Sequence, residues 1–136
     1  MRDVAYIALG SNLGDREGYL SRARAAIDEL PHTRIVRASS VEETLPLGGL
    51  DQPPYLNQMI AVETTLAPRE LLARLHELEV REGRRRDTRL ASRTIDLDIV
   101  CFDQQTVNEP DLQVPHPGLE TREFWRRELA ELRVNA

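Results

Sequence analysis

The sequence predicts an α+β fold in the ferredoxin-like βαββαβ arrangement, an antiparallel sheet with its helices on one face. Apolar runs typical of strands and amphipathic stretches typical of helices follow each other in the order strand, helix, strand, strand, helix, strand. A short helical extension is predicted after the last strand. With 136 residues, 40% of them hydrophobic, we expect residues 1–136 to form a single domain.

In the first half of the chain, residues 4–9 are almost continuously apolar and end at Gly10, which is typical of a central strand. Residues 19–30 place apolar side chains three and four apart and therefore predict an amphipathic helix. Residues 34–41 have the β-branched content of a second strand. The Pro- and Gly-rich stretch from 44 to 54 predicts a loop.

The second half repeats this alternation. A third strand is predicted over residues 55–64, a second helix over 68–83 and a fourth strand over 95–102. A short extended piece at 112–117 leads into a final helix over about 120–133. We expect that the first and fourth strands do not form the outer pair of the sheet, and that the face without helices carries any functional site.

Composition excludes some classes of protein. The net charge of -5 argues against a general binder of nucleic acid or of anionic membranes. Because the sequence has neither an apolar run near the ~20 residues of a membrane span nor a signal segment, we expect a cytoplasmic protein. Cys101 has no partner for a disulfide, and we expect it to be buried on the same face as Ile99.

Asp96 and Asp98 interrupt the apolar fourth strand. In a strand they share one face, with Cα atoms roughly 6.5 to 7 Å apart, so their charges repel unless a cation or a proton intervenes. From these residues alone, a magnesium site and a polar sheet edge are equally good interpretations. An arginine-rich segment at 84–89 precedes them and His116 follows, which favours phosphate chemistry with Mg²⁺.

Six further segments of the sequence are distinctive: ALGSNLG at 8–14, LPLG at 45–48, QPPYLN at 52–57, Glu79 with GRRR at 83–86, RTIDLDI at 93–99 and VPHP at 114–117. In the order and spacing of these segments, residues 4–124 resemble the 6-hydroxymethyl-7,8-dihydropterin pyrophosphokinase family. This resemblance implies an enzyme of folate biosynthesis that transfers the β,γ-diphosphate of ATP to the hydroxymethyl group of a reduced pterin. ATP is then the co-substrate, and two Mg²⁺ ions assist.

The resemblance also implies roles for single residues. Asp96 and Asp98 match the family's metal ligands, while Arg84, Arg93 and His116 match catalytic positions. The positions that match the ATP site are Leu72, Glu79, Arg84, Arg86, Arg93, His116 and Arg122. Those that match the pterin pocket are Thr44, Leu47, Tyr55, Asn57 and Phe124.

In two places the chain departs from the family. Leu90 stands where the family commonly has a Trp that closes over the pterin, so we expect weaker closure, and the chain after Phe124 is shorter and more charged than usual. We expect His32 and His76 to be ordinary surface or helix residues. Two alternatives remain open: a relative that binds pterin or nucleotide with lost or altered activity, and a ferredoxin-like nucleic-acid-binding or regulatory module.

Overall fold

A computed structural model gives the structure of the protein, and it describes residues 2–45, 53–82 and 94–134. Some positions singled out above lie outside the described residues: Leu47, Arg84, Arg86, Leu90 and Arg93. In the described part of the chain, no helix is both long and apolar enough to cross a membrane.

The predicted elements are present, but the second strand ends at Ala38 instead of Val41, and a short strand that was not predicted follows at Glu42–Thr44. The strands are β1 (Asp3–Ser11), β2 (Thr33–Ala38), β3 (Glu42–Thr44), β4 (Tyr55–Thr64), β5 (Asp96–Phe102), β6 (Val107–Glu109) and β7 (Leu112–Val114). The helices are α1 (Arg16–Asp28), α2 (Pro68–Arg81) and α3 (Glu123–Val134), with a 3₁₀ turn at Pro117–Glu120 before α3.

The main sheet has the strand order β2-β4-β1-β5 with every neighbouring pair antiparallel, which confirms the ferredoxin-like prediction. β3 pairs with the first part of β4. The first strand is interior as expected, but the fourth, β5, lies at an edge of the described sheet. Part of that edge is covered, because the backbone N–H of His116 donates to the carbonyl of Val100 over 2.8 Å. Because this segment covers part of the edge, β5 is largely buried and apolar although it is not a central strand.

α1 and α2 pack on one face of the sheet, as predicted. Asp15 caps α1 by accepting from the backbone N–H of Gly18 at 3.1 Å, and Pro68 occupies the first turn of α2. The buried residues of the two helices follow the predicted spacing: Leu20, Ala23 and Ile27 in α1, and Leu71, Leu75 and Leu78 in α2. They pack against Ile7, Leu9, Ile60, Leu97 and Ile99 of the sheet.

α3 packs on the opposite face, so the expectation of a face without helices was wrong. Trp125, Leu129 and Leu132 are buried at a spacing of four and three residues, which gives this charged segment one apolar stripe. With the sheet they form what we call the α3 cluster: Tyr6, Ala8, Met59, Ala61, Val100, Cys101, Trp125, Leu129 and Leu132. The carboxylates Asp96 and Asp98 lie on β5 and remain half-buried.

A bulge changes the side-chain alternation of β5. Tyr6 pairs with Cys101, but the next residue of β1, Ile7, pairs with Ile99, so Val100 is the extra residue. Val100 and Cys101 consequently both join the α3 cluster. Cys101 is buried as predicted, but its predicted face was wrong, because the bulge moves it away from the face of Ile99.

The interface of α3 with the sheet contains a buried acid. Glu128 is 2% exposed, and neither of its carboxylate oxygens has a hydrogen-bond partner among the described residues. Burial is the main cause that raises the pKa of Glu128 to about 8, and the neighbouring Glu42 adds to it. The side chain of Glu42 in turn pairs with Arg127. Glu128 therefore carries a proton at neutral pH.

Candidate active site

The register of the sheet brings a carboxylate and an amide into one row. Gly10 of β1 pairs with Asp96 of β5 on one side and with Asn57 of β4 on the other. Paired residues of an antiparallel sheet point to the same face, so the two polar side chains flank a residue without a side chain. A Cβ atom at Gly10 would lie 3.2 Å from Asn57 Oδ1 and 3.4 Å from Tyr55 Cδ1. Gly10 therefore lets the side chains of Asn57 and Tyr55 pack directly against β1.

Three of the residues predicted for the pterin lie together next to Gly10. Thr44 pairs with Tyr55 across β3 and β4, and the Asn57 side chain donates from Nδ2 to Thr44 Oγ1 at 2.5 Å. Asn57 is 7% exposed and Tyr55 is half-buried. Phe124 lies in the first turn of α3, where its ring meets that of Trp125 edge-on at 6.4 Å. The structure thus brings together Thr44, Tyr55 and Asn57.

A cavity of about 410 Å³, here called the β5 cavity, opens beside the start of β5. α2 forms one wall, the β6–β7 hairpin another, and the segment before α3 a third. Five residues predicted for metal or nucleotide line it: Leu72, Asp96, Asp98, His116 and Arg122. Residues that are far apart in the sequence therefore converge on one space, with two acidic and two basic or imidazole side chains.

Asp96 and Asp98 face this cavity from the same face of β5. The Oδ1 atom of Asp98 lies 3.9 Å from Nε2 of His116, and both side chains are 29% exposed. Carboxylate oxygens are the ligands that Mg²⁺ prefers, and in sites that also hold phosphates one or two carboxylates are the usual protein contribution. The donor set and its position therefore fit a magnesium ion that is shared with a phosphate ligand.

His116 is fixed in one tautomer by its own turn. Its Nδ1 accepts from the backbone N–H of Gly118 at 2.8 Å, so the neutral ring carries its proton on Nε2, the atom nearer Asp98. Burial is the largest cause that lowers the pKa of His116; the positive charge of Arg122 lowers it further, and Asp96 opposes both. At neutral pH the ring is uncharged and offers an N–H donor.

One aromatic ring contacts both His116 and Arg122. The guanidinium of Arg122 lies 4.3 Å from the centre of the Trp125 ring, and the imidazole of His116 meets the same ring edge-on at 5.0 Å and 86°. Trp125 was not among the predicted site residues. The signal that could have found it is the apolar stripe of α3, which begins at the single Trp of the chain, three residues after Arg122.

Glu79 has a different position from the other predicted nucleotide residues. It is 2% exposed, and its Oε2 accepts from the backbone N–H of Leu97 at 2.8 Å. Leu97 stands between the two aspartates, and its N–H points away from β1 at the edge of the sheet. Glu79 thus connects α2 to the strand that carries Asp96 and Asp98.

Two further features of the cavity escaped the sequence reasoning. His76, predicted to be an ordinary surface or helix residue, lines the cavity one helical turn after Leu72. The wall opposite α2 is held by Arg69, which binds Asp111 of the β6–β7 turn at 2.8 Å and also contacts Glu109. Hydrogen bonds from Arg69 are the main cause that lowers the pKa of Asp111. This ion pair spans the two walls.

Known proteins similar to this chain are consistent with this site. Residues 6–134 match the family described as 7,8-dihydro-6-hydroxymethylpterin-pyrophosphokinase. A 2-amino-4-hydroxy-6-hydroxymethyldihydropteridine pyrophosphokinase of Bacillus subtilis is 42% identical over 97% of this chain and 79% of that protein. The enzyme of the same name from Pseudomonas aeruginosa is 42% identical over 93% of this chain and 78% of that protein.

A solved structure supports the fold independently. A chain from a crystal structure described as HPPK-DHPS in complex with substrates aligns with a TM-score of 0.61 over 82% of this chain and 30% of that chain, at 14% identity. At that identity the likeness concerns the fold alone. Taken with the match over residues 6–134, these findings show that the chain belongs to the 7,8-dihydro-6-hydroxymethylpterin-pyrophosphokinase family.

Proposed function

We propose that this chain transfers the β,γ-diphosphate of ATP to the hydroxymethyl group of 6-hydroxymethyl-7,8-dihydropterin, and that it does so at the β5 cavity. The observation that carries the proposal is the convergence of Asp96, Asp98, His116 and Arg122 on one cavity. Asp96 also belongs to the sheet row that leads through Gly10 to Asn57. The proposed phosphate site and the residues proposed for the pterin, Tyr55 and Asn57, therefore lie on one face of the sheet.

The reaction forms a bond between the alcohol oxygen of the pterin and the β-phosphorus of ATP. The bond between that phosphorus and the oxygen bridging to the α-phosphate breaks, AMP leaves, and the alcohol proton is released. Transfers of this type depend mainly on positioning and on neutralisation of the phosphate oxygens. The chain therefore needs donors at fixed positions more than it needs a strong base.

Two side chains can act as these donors. His116 offers Nε2–H, because its Nδ1 is occupied by the N–H of Gly118. Arg122 offers a planar guanidinium, whose parallel N–H groups can bind two phosphate oxygens. Arg84, Arg86 and Arg93 are proposed to add further cations from the segment before β5. On the acceptor side, Thr44, Tyr55 and Asn57, with Leu47 and Phe124, are proposed to hold the pterin.

Asp96 and Asp98 are proposed to hold two Mg²⁺ ions. When bound, the ions would neutralise the phosphate oxygens and orient the triphosphate. The chain contributes the placement of the carboxylates, which Glu79 supports through the Leu97 N–H. Leu72 and His76 line the cavity from α2 and are proposed to contact the nucleoside. We infer a cytoplasmic location, where ATP is available.

The alternative of a nucleic-acid-binding module gains no support from the sheet. Base stacking on a ferredoxin-like sheet uses exposed aromatic side chains in the central strands. Ile7, Leu9, Ile95 and Leu97 are aliphatic and buried beneath α1 and α2. The opposite face carries Tyr6, Ala8, Met59 and Ala61, which are buried beneath α3. A relative with altered chemistry is distinguished from an active enzyme by experiment.

The test is to incubate the purified chain with ATP, Mg²⁺ and 6-hydroxymethyl-7,8-dihydropterin, and to quantify AMP and the pterin diphosphate. We expect equal amounts of both products and none when Mg²⁺ is chelated. D98N is expected to abolish the reaction. D103N removes a carboxylate just beyond the other end of β5 and serves as the matched control with native activity. Binding of both substrates without AMP formation would contradict the proposed activity.

A further inference from the structure

We infer that Trp125 is a positioning residue for the triphosphate of ATP, because its buried ring orients both Arg122 and His116. The inference rests on the proposed function of the β5 cavity. Trp125 is 3% exposed and lies beneath the cavity wall, so its ring does not take the place of a substrate-binding group. It acts through the two side chains that face the cavity.

The first contact is with Arg122. This side chain is half-buried, and its guanidinium lies over the Trp125 ring with its central carbon 4.3 Å from the ring centre. A free arginine side chain has many rotamers, and those that point into the cavity are only some of them. A cation over the face of an indole is attracted by the ring's electrons, which favours one arrangement of the guanidinium. The N–H groups along the edge of the guanidinium plane remain available to phosphate oxygens.

The second contact is with His116. Its ring lies edge-on to Trp125 at 5.0 Å and an angle of 86°, an arrangement that aromatic pairs favour. Gly118 makes this approach possible, because a Cβ atom there would lie 3.1 Å from Trp125 Cζ3 and 3.0 Å from His116 Nδ1. The hydrogen bond from Gly118 and the wall formed by Trp125 together leave the imidazole one orientation, with Nε2 towards the cavity.

The other members of the α3 cluster do not explain these contacts. Leu132 is as buried as Trp125 and packs in the same cluster, but it lies two helical turns further along α3. A purely structural role for Trp125 predicts that losing either side chain lowers stability and leaves the chemistry of the folded enzyme unchanged. A positioning role predicts that only Trp125 affects ATP.

The decisive experiment compares W125L, W125F and L132A, each confirmed to be folded by circular dichroism at the assay temperature. The affinity for Mg²⁺ and α,β-methylene-ATP, in which the bond broken in the reaction is blocked, is measured by calorimetry. We expect W125L to bind this analogue on the order of tenfold more weakly, the scale of a lost cation–π contact. W125F keeps an aromatic face and should stay within about threefold of the native affinity. L132A should bind like the native protein.

Steady-state kinetics add a second readout. In W125L we expect the KM for ATP to rise and kcat to fall, because Arg122 and His116 lose the ring that orients them. Equal nucleotide affinities and equal kcat/KM for ATP in the native protein, W125L and L132A would overturn the inference. A native chain that forms no AMP would instead overturn the proposed function, and the calorimetric comparison would still decide the role of Trp125.

The ring also provides its own reporter. Trp125 is the single Trp of the chain, so all tryptophan emission comes from the ring beneath Arg122 and His116. Saturation with Mg²⁺ and the ATP analogue should change its emission, because both contacting side chains then bind phosphate. Emission that stays constant through a titration that calorimetry shows to be saturating would contradict the proposed contacts.

Discussion

The buried acid Glu128 makes the stability of this protein depend on pH in an unusual direction. A glutamate with an ordinary pKa of 4.5 loses its proton in the unfolded chain at much lower pH than in the folded protein, where the pKa is about 8. Between these two pH values Glu128 is ionised only in the unfolded chain, so the free energy of unfolding falls as pH rises. Below the unfolded pKa this contribution to stability is fully present, and above the folded pKa it has been lost.

The magnitude follows from the size of the shift. Each pKa unit corresponds to 1.36 kcal/mol, so the shift of Glu128 from 4.5 to about 8 corresponds to roughly 5 kcal/mol over the whole range. Glu42 and Glu131, whose carboxylates face the site, act in the same direction as burial, and the guanidinium of Arg127 opposes them. Most of the change falls between about pH 5 and pH 8.

The test is E128Q, a variant of the same shape that cannot ionise. Urea unfolding from pH 5 to pH 9 should show the free energy of unfolding of E128Q rising relative to the native protein by about 1.4 kcal/mol per pH unit, and levelling off above pH 8. E123Q removes an exposed carboxylate from the same helix and should give a difference that does not change over this range. A difference between E128Q and the native protein that is constant with pH, or grows as pH falls, would refute this account of Glu128.

Four further variants test the site itself. D96N and D98N should each lower Mg²⁺-dependent AMP formation at least a hundredfold while the thermal unfolding temperature stays within a few degrees, and full activity in both would remove the metal assignment. G10A places a Cβ atom 3.2 Å from Asn57 Oδ1, which must then shift, and should raise the KM for the pterin about tenfold with little change in the KM for ATP; equal effects on both would show that Asn57 does not bind pterin. L90W, which restores the family's aromatic residue, should lower the Kd for the pterin in the presence of the ATP analogue several-fold; an unchanged Kd would mean that closure uses other contacts.

Local patterns were sufficient for much of the fold. Alternation in β4 and spacing in α1 and α2 predicted these elements, because each buries one face against the same core. The shared face of Asp96 and Asp98 also followed from the period of a strand. The side chains that line the cavity with them could be named from the family's motifs, but their convergence depends on the sheet register.

What the sequence did not predict depends on contacts between distant segments. The burial of Trp125 depends on α3 crossing to the second face of the sheet, and no local pattern states which face a terminal helix covers. The position of His76 at the cavity depends on the β6–β7 hairpin standing opposite α2, an arrangement that Arg69 and Asp111 hold in place. The face of Cys101 depends on a bulge that appears only when β1 and β5 are paired.

That bulge divides β5 into two parts with separate tasks. Before it, successive side chains alternate regularly between the two faces of the sheet. The pairing of Leu97 and Ile99 with β1 keeps Asp96 and Asp98 on the opposite face. After it, the shifted alternation lets Val100 and Cys101 contribute to the packing of α3. Substitutions that tune the packing of α3 can therefore accumulate at one end of the strand without turning the carboxylates at the other. Deleting Val100 would restore regular pairing, leave the carboxylates in place and keep Cys101 opposite Tyr6 on the face of α3.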